Sequence, residues 1–306
     1  MTTTKKAPAS TTAKPAVKPA VKPVTSPAAT KKTTVARSAR TPTATTSRPA
    51  KAAAVSQPLS PDAVMKIMAL SKSSDSIELK LTVPLAEQQA TVKRLKLDPV
   101  EAQPRQAFFF DTPDLKLFKA GLVVRARRIQ GGRADTVIKL RPINPDDLQQ
   151  DLRRSASFKV EVDLMPGGFV CSGSFKGACT GRDVLDATEG KTSLSSLFSK
   201  GQRAFFEAHA PAGIKLDDLV VLGPTFLLKA KHQPKDFPRA ITVEMWLYPD
   251  GARILEVSTK CLPAETFQAV AEFKAYLLQC GIAVSESQET KTKTTLEYYS
   301  RQLKKA

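Results

Sequence analysis

The 306-residue chain has only two histidines and four cysteines, and none of them is spaced as a metal-ligand set. Cys171, Cys179, Cys261 and Cys280 are therefore read as free thiols in a reducing compartment, which makes a cytoplasmic protein the expectation. No apolar run reaches the roughly 18 residues of a membrane helix, and no signal-peptide core is visible. No membrane partner is expected.

Acidic and aromatic residues are missing altogether from residues 1–60, which hold eleven Lys or Arg and so contribute +11 of the formal +18 charge. The segment is rich in Ala, Thr and Pro and repeats Lys-Pro-Ala-Val at 14–17 and 18–21. It cannot bury enough apolar surface to offset its ordering entropy and reads as a disordered basic tail. Its lysines would neutralise the phosphates of nucleic acid or polyphosphate non-specifically, by counterion release. In this it resembles the Lys-, Ala- and Pro-rich extensions of DNA-compacting proteins. The plainer alternative is a solubilising linker. Organelle import or nucleoid or nuclear association also stays open, although the prolines would break an amphipathic targeting helix.

Beyond the tail, short alternating segments dominate. Ser76 to Val83 puts Glu78 and Lys80 on one face and Ile77, Leu79, Leu81 and Val83 on the other. The stretch Ala107 to Arg128 reads as an apolar strand (Phe108, Phe109, Phe110), a turn at Asp111, Thr112 and Pro113, and a second strand after Gly121. That second strand carries Val123, Arg125 and Arg127 on one face, so two guanidinium groups aim at one place. The same alternation groups Val137, Lys139 and Arg141, then Lys159, Glu161 and Asp163, then Thr242, Glu244 and Trp246, and lastly Glu256, Ser258 and Lys260.

Helices are expected at 61–70, with Ser60 as N-cap, from Pro84 to about Leu97 with Leu85, Val92 and Leu95 inward, and from about Leu194 to Ala208. Another is expected from Pro263 to Cys280 with Phe267, Val270, Ala271, Phe273 and Leu277 as its apolar positions and Gly281 as its stop. Residues 165–230 look irregular apart from that one helix, and 290–306 reads as a short strand or turn followed by a terminal helix.

One strand with a single charged face is ordinarily a surface strand. Six such strands, four of them with charged residues at spacing two and each with an apolar face that needs cover, fit a barrel whose helices pack outside and whose charged faces line the lumen. Such a lumen is costly to build empty, because clustered charges lose hydration. A polyanion gripped by Arg and Lys, with a divalent cation held by carboxylates, would fill it.

The string Phe110-Asp111-Thr112-Pro113-Asp114-Leu115, then Ala120-Gly121-Leu122 and Arg125-Ala126-Arg127, resembles a segment of the CYTH family, the triphosphate tunnel metalloenzymes. That family includes inorganic triphosphatases, thiamine triphosphatases and class IV adenylyl cyclases. The similarity spans about 74–300 and implies an α+β protein built on a closed antiparallel β-barrel, the tunnel. Further matches are Glu78-Leu79-Lys80, Lys139-Leu140-Arg141, Glu161-Val162-Asp163, Leu222 to Phe226 and Val243 to Leu247. Where the family carries further carboxylates, this chain has Ser76, Tyr248, Ile254 and Ser258.

The resemblance implies metal-dependent hydrolysis of a triphosphate-containing small molecule, most simply inorganic tripolyphosphate. Glu78 and Lys80 are the catalytic candidates. Lys80, Arg125, Arg127, Lys139, Arg141, Lys159, Lys260 and Lys293 are the substrate-binding candidates. Glu78, Glu161, Asp163, Glu244 and Glu256 would hold Mg²⁺ or Mn²⁺. Three alternatives stand beside this reading: a non-catalytic polyphosphate- or nucleotide-binding module, a class IV-type adenylyl cyclase, and a nucleic-acid-associated protein driven by its tail.

Overall fold

The computed structural model describes residues 60–282, 288 and 290–305. The basic tail expected over 1–60 therefore lies outside the described residues, apart from Ser60. Ser60 does cap the first helix, accepting a hydrogen bond from the Ala63 N–H at 3.2 Å.

Nine strands follow: β1 (Ser76–Val83), β2 (Gln103–Asp111), β3 (Leu122–Ile129), β4 (Arg133–Leu140), β5 (Phe158–Met165), β6 (Gly168–Thr180), β7 (Val220–His232), β8 (Ile241–Leu247) and β9 (Arg253–Cys261). They close into a barrel in the order β1-β5-β6-β4-β3-β2-β7-β8-β9, with β9 returning to β1. Each pair is antiparallel except β1 and β5, which run parallel with Glu78 opposite Asp163. The described helices are α1 (Pro61–Lys72), α2 (Gln88–Arg94), α3 (Lys116–Lys119), α4 (Gln150–Arg154), α5 (Gly181–Thr188), α6 (Lys200–His209), α7 (Thr266–Gln279) and α8 (Lys291–Leu303). None is long and apolar enough to cross a membrane.

The period-2 pattern explains where the core sits. Ile77, Leu79, Leu81 and Val83 of β1 are buried outside the barrel wall, in a cluster that also takes Val160 and Val162 of β5 and Phe205 and Phe206 of α6. Phe158 of β5, Phe175 of β6 and Phe205 of α6 pack with ring centroids 5.5 to 6.2 Å apart. The main core is thus a layer between barrel and helices, which leaves the opposite strand faces to the lumen.

A second apolar cluster lies on those inner faces. Phe109, Val123, Leu222, Leu227, Trp246, Tyr248 and Ile254 meet Leu296 of α8 there. This plug places the α8 side chains against β7 and β8, and Tyr299 donates its hydroxyl to the Pro224 carbonyl. The motif around Asp111 is a buried cap: its carboxylate accepts the N–H groups of Thr112 at 2.7 Å and of Leu117 and Phe118 at 2.9 Å. Gly121 adopts φ +81°, and a Cβ there would meet the Arg141 carbonyl oxygen at 2.2 Å, so only glycine lets the start of β3 lie this close to Arg141.

Four expectations are corrected. Residues 168–180 and 220–232 are two long strands where an irregular middle was read, because Gly, Ser and Pro interrupt their alternation. Leu85 is exposed, since the chain from 85 to 87 forms a 3₁₀ turn before α2. In α7 the buried face is Thr266, Ala269, Phe273, Tyr276 and Leu277, whereas Phe267 (48%) and Val270 (40%) face solvent and Ala271 is exposed. The segment from Lys291 is helical from its first residue, and the described Thr290 before it is in no strand.

Phe158 is fully enclosed by the aromatic cluster, so Phe158→Ala should cost roughly 3–5 kcal/mol through the lost transfer term and the cavity left behind. Urea unfolding of the two proteins measures it; a loss under 1 kcal/mol would mean that this layer is not the main core.

Candidate functional site

The charged faces of eight strands enclose a cavity of about 300 Å³. Eleven of the thirteen candidate site residues line it: Glu78 and Lys80 from β1, Arg125 and Arg127 from β3, Lys139 on β4 with Arg141 just after it, Glu161 and Asp163 from β5, Glu244 from β8, and Glu256 and Lys260 from β9. Two do not. Lys159 lies on the same face as Glu161 but at the open start of β5, where it is solvent-exposed. Lys293 is also exposed and pairs with Glu297 at 3.9 Å one helical turn on. The lysine that enters the cavity from this segment is Lys291. The reading as a strand or turn could not settle which of the two points inward; a helix starting at 291 does.

Lys176 of β6 and Lys229 of β7 line the cavity as well and were missed. Both sit on strands that the sequence did not disclose. The spacing of Lys229 and Lys231 was the available signal. Altogether nine Lys or Arg side chains face five carboxylates, a net excess of four positive charges.

These charges fall into distinct groups. On the β1–β5 wall, Glu78, Glu161 and Asp163 each place a ligand oxygen within 4.8 Å of the others. Lys80 bridges Glu78 at 3.1 Å and Asp163 at 2.9 Å, Lys139 reaches Asp163 at 3.4 Å, and Lys260 pairs with Glu78 at 3.5 Å and also with Glu161. Ser76, where a carboxylate was missing, donates its hydroxyl to Glu161 at 3.2 Å. Burial alone would raise the pKa of Asp163, but the Lys139 and Lys80 ammonium groups outweigh it and hold the carboxyl far below its usual range. Conversely, burial pulls Lys80 down while Asp163 and Glu78 push it well above the ordinary lysine value, and the carboxylates win.

Farther along the same wall, where β9 pairs with β1, Glu244 and Glu256 are direct neighbours on β8 and β9. Glu244 receives Lys229 at 3.0 Å and Lys291 at 2.6 Å, and Glu256 receives Lys291 at 2.7 Å. The five carboxylates read from sequence as one metal-ligand set thus form a triad and a separate lysine-bridged pair. Tyr248 and Ile254, two further positions of lost carboxylates, belong to the apolar plug.

A third group is cationic only. Arg127 is held by Asp135 through two hydrogen bonds of 2.9 and 2.8 Å, but Arg125 has no ion pair among the described residues. Its Nε is buried without a hydrogen-bond partner, and its guanidinium lies 6.0 Å from the centre of the Phe109 ring. Burial, and then the neighbouring Arg127 charge, bring its pKa down to about 9. Arg141 likewise lacks an ion pair among the described residues, and burial lowers its pKa too. At neutral pH both guanidinium groups stay charged, so this wall presents donors that nothing among the described residues satisfies.

No protein-family model matches this chain, and no curated protein matches it by sequence. Solved structures do match in fold. An adenylate cyclase candidate from Bacillus halodurans aligns with a TM-score of 0.51 at 15% identity, covering 72% of this chain and 97% of its own. An adenylyl cyclase candidate from Hippeastrum, which has a dominant triphosphatase activity, aligns with a TM-score of 0.54 at 14% identity, covering 73% and 96%. The expectation drawn from the strand motifs is borne out: the chain has the closed tunnel barrel of the CYTH fold.

The depressed carboxyl of Asp163 gives stability that is fully present above the unfolded value of about 3.9 and is lost as pH falls through the lower folded value. Asp163→Asn should therefore cost about 3–5 kcal/mol at neutral pH, by leaving Lys80 and Lys139 short of a partner, and should flatten the acid limb of the stability profile. Denaturant midpoints between pH 7 and pH 3 test this; an unchanged acid limb would show that the ion cluster carries no stability.

Proposed function

We propose that the lumen binds the phosphate chain of a triphosphate-containing molecule, most simply inorganic tripolyphosphate, and hydrolyses it with the help of a divalent cation. The observation that carries this reading is the cationic wall of Arg125 and Arg141, uncountered within a cavity that already has an excess of positive charge. A linear triphosphate offers a row of oxygens and a comparable negative charge. Planar guanidinium groups pair with such oxygens two at a time, and Lys139, Lys176 and Lys80 lie along the same cavity as point charges.

The carboxylate triad fits a hard divalent ion. Its donors are all oxygens, they converge within 4.8 Å, and the group sits beside the cationic wall. Glu78, Glu161 and Asp163 would hold Mg²⁺ or Mn²⁺, which when bound would neutralise charge on the phosphate oxygens. Lys80 and Lys260 would then pass from the carboxylates to the phosphate oxygens, keeping each charge paired. Glu78, which also pairs with Lys80 and Lys260, would orient the attacking water. Support also comes from the Hippeastrum neighbour and its triphosphatase activity. The four free cysteines fit the reducing, cytoplasmic setting that we propose for this activity.

Phosphate release from tripolyphosphate with Mg²⁺ or Mn²⁺ tests this. Wild type should show metal-dependent release, Arg125→Ala should weaken tripolyphosphate binding by about tenfold or more, and Glu78→Gln should abolish turnover while binding persists. Tight binding with no release in wild type would make the barrel a non-catalytic phosphate-binding module, and cyclic AMP formed from ATP would favour the cyclase alternative. Absence of both binding and release would overturn the reading.

A further inference from the structure

Glu244 and Glu256 face each other across neighbouring strands, both buried, on the stretch of wall next to the triad, where β9 pairs with β1. Two carboxylates so placed repel each other unless a cation lies between them. The chain supplies that cation itself. Lys291, in the first turn of α8, sets its ammonium 2.6 Å from one Glu244 oxygen and 2.7 Å from Glu256, and lies 5.4 Å from the centre of the Trp246 ring.

Both oxygens of Glu244 also have other donors. Its other oxygen accepts Lys229 at 3.0 Å, and the oxygen bound to Lys291 also accepts the Trp246 indole N–H at 3.2 Å. Nor can Lys291 simply swing away. Leu296 is sunk in the apolar plug, Ser300 donates to the Pro113 carbonyl at 2.7 Å, and Thr295 donates to the Lys291 carbonyl at 2.8 Å. A lysine at a helix N-terminus opposes the helix dipole, and α8 has no acidic residue in its first turn. Only the carboxylate pair makes this placement favourable. Lys260, in contrast, is more than half exposed at the cavity mouth and is free to leave the triad.

We propose that Lys291 is a resident counter-ion that closes the Glu244–Glu256 pair to divalent metal, so that the barrel takes metal on the β1–β5 wall alone. The α8 helix thereby sets the number of metal ions. This rests on the metal reading above for the count of one ion, but not for the closure of the pair.

Mn²⁺ binding to the full-length chain, followed by loss of the free-ion signal in electron paramagnetic resonance, decides it. Wild type should bind one Mn²⁺, Lys291→Met should bind two, and Lys291→Met combined with Glu256→Gln should return to one. Glu256→Gln alone should leave the count and affinity unchanged, which keeps the test open if Lys291→Met fails to fold. Two ions in wild type, an ion lost in Glu256→Gln, or a folded Lys291→Met with no added ion would overturn the proposal. Should wild type bind none and Lys291→Met bind one, the closure stands and the triad reading fails.

Discussion

Charge in a confined, poorly hydrated space must be answered by charge, and the barrel is arranged around that constraint. Its strands carry apolar side chains outward because helices are there to cover them, which obliges the alternate positions to meet in the lumen. Each buried carboxylate of the lumen touches at least one ammonium group, as in Asp163 with Lys80 and Lys139, or Glu244 with Lys229 and Lys291. Removing one member of such a set strands the others, at about 3–5 kcal/mol. Among the described cations of the cavity, Arg125, Arg141 and the exposed Lys176 have no ion pair, and the two arginines are informative because they are partly buried.

Legibility in the sequence followed the physics of period 2. Strands β1, β3, β4, β5, β8 and β9 have one apolar and one charged face, so their alternation survives in the bare sequence and places eleven of thirteen site candidates in the cavity. β6 and β7 did not show, because Gly173 and Gly177 sit where side chains of β5 and α6 press close and Gly223-Pro224 breaks the run of β7. Lys229 was lost with its strand. For α7 the apolar residues were found but the face was misjudged, since Phe267 and Val270 face solvent while Tyr276 turns inward. Lys293 was chosen because Thr292-Lys293 resembles a Ser-Lys pair of the family, and it is helix geometry that sets Lys291 and Lys293 about 200° apart.

The Phe-Asp-Thr-Pro-Asp motif, the strongest sequence signal, turns out to build the scaffold. Asp111 gathers three backbone N–H groups and ties the end of β2 to α3, and Thr112 accepts the Lys116 N–H at 2.9 Å. Gly121 then allows the β3 start to meet the Arg141 backbone, whose N–H donates to the Gly121 carbonyl at 2.9 Å. The motif therefore acts on the site at one remove. It fixes where β3 begins and, through the β3–β4 register, where Arg125 and Arg141 stand.

Two positions where the family resemblance implies carboxylates share one structural role here. Tyr248 and Ile254 are part of an apolar plug with Trp246 and Phe109, and that plug gives Leu296 of α8 a seat. Seating α8 brings Lys291 to Glu244 and Glu256, and the Tyr248 hydroxyl donates to the Lys291 carbonyl at 3.3 Å at the same helix start. An acidic side chain at 248 or 254 would be buried among aromatic rings with no cation assigned to it, and would loosen the seat that delivers the lysine. Apolar side chains at 248 and 254 and a lysine at 291 are thus mutually consistent. The triad on the β1–β5 wall lies outside the plug and keeps its oxygens converging on one point.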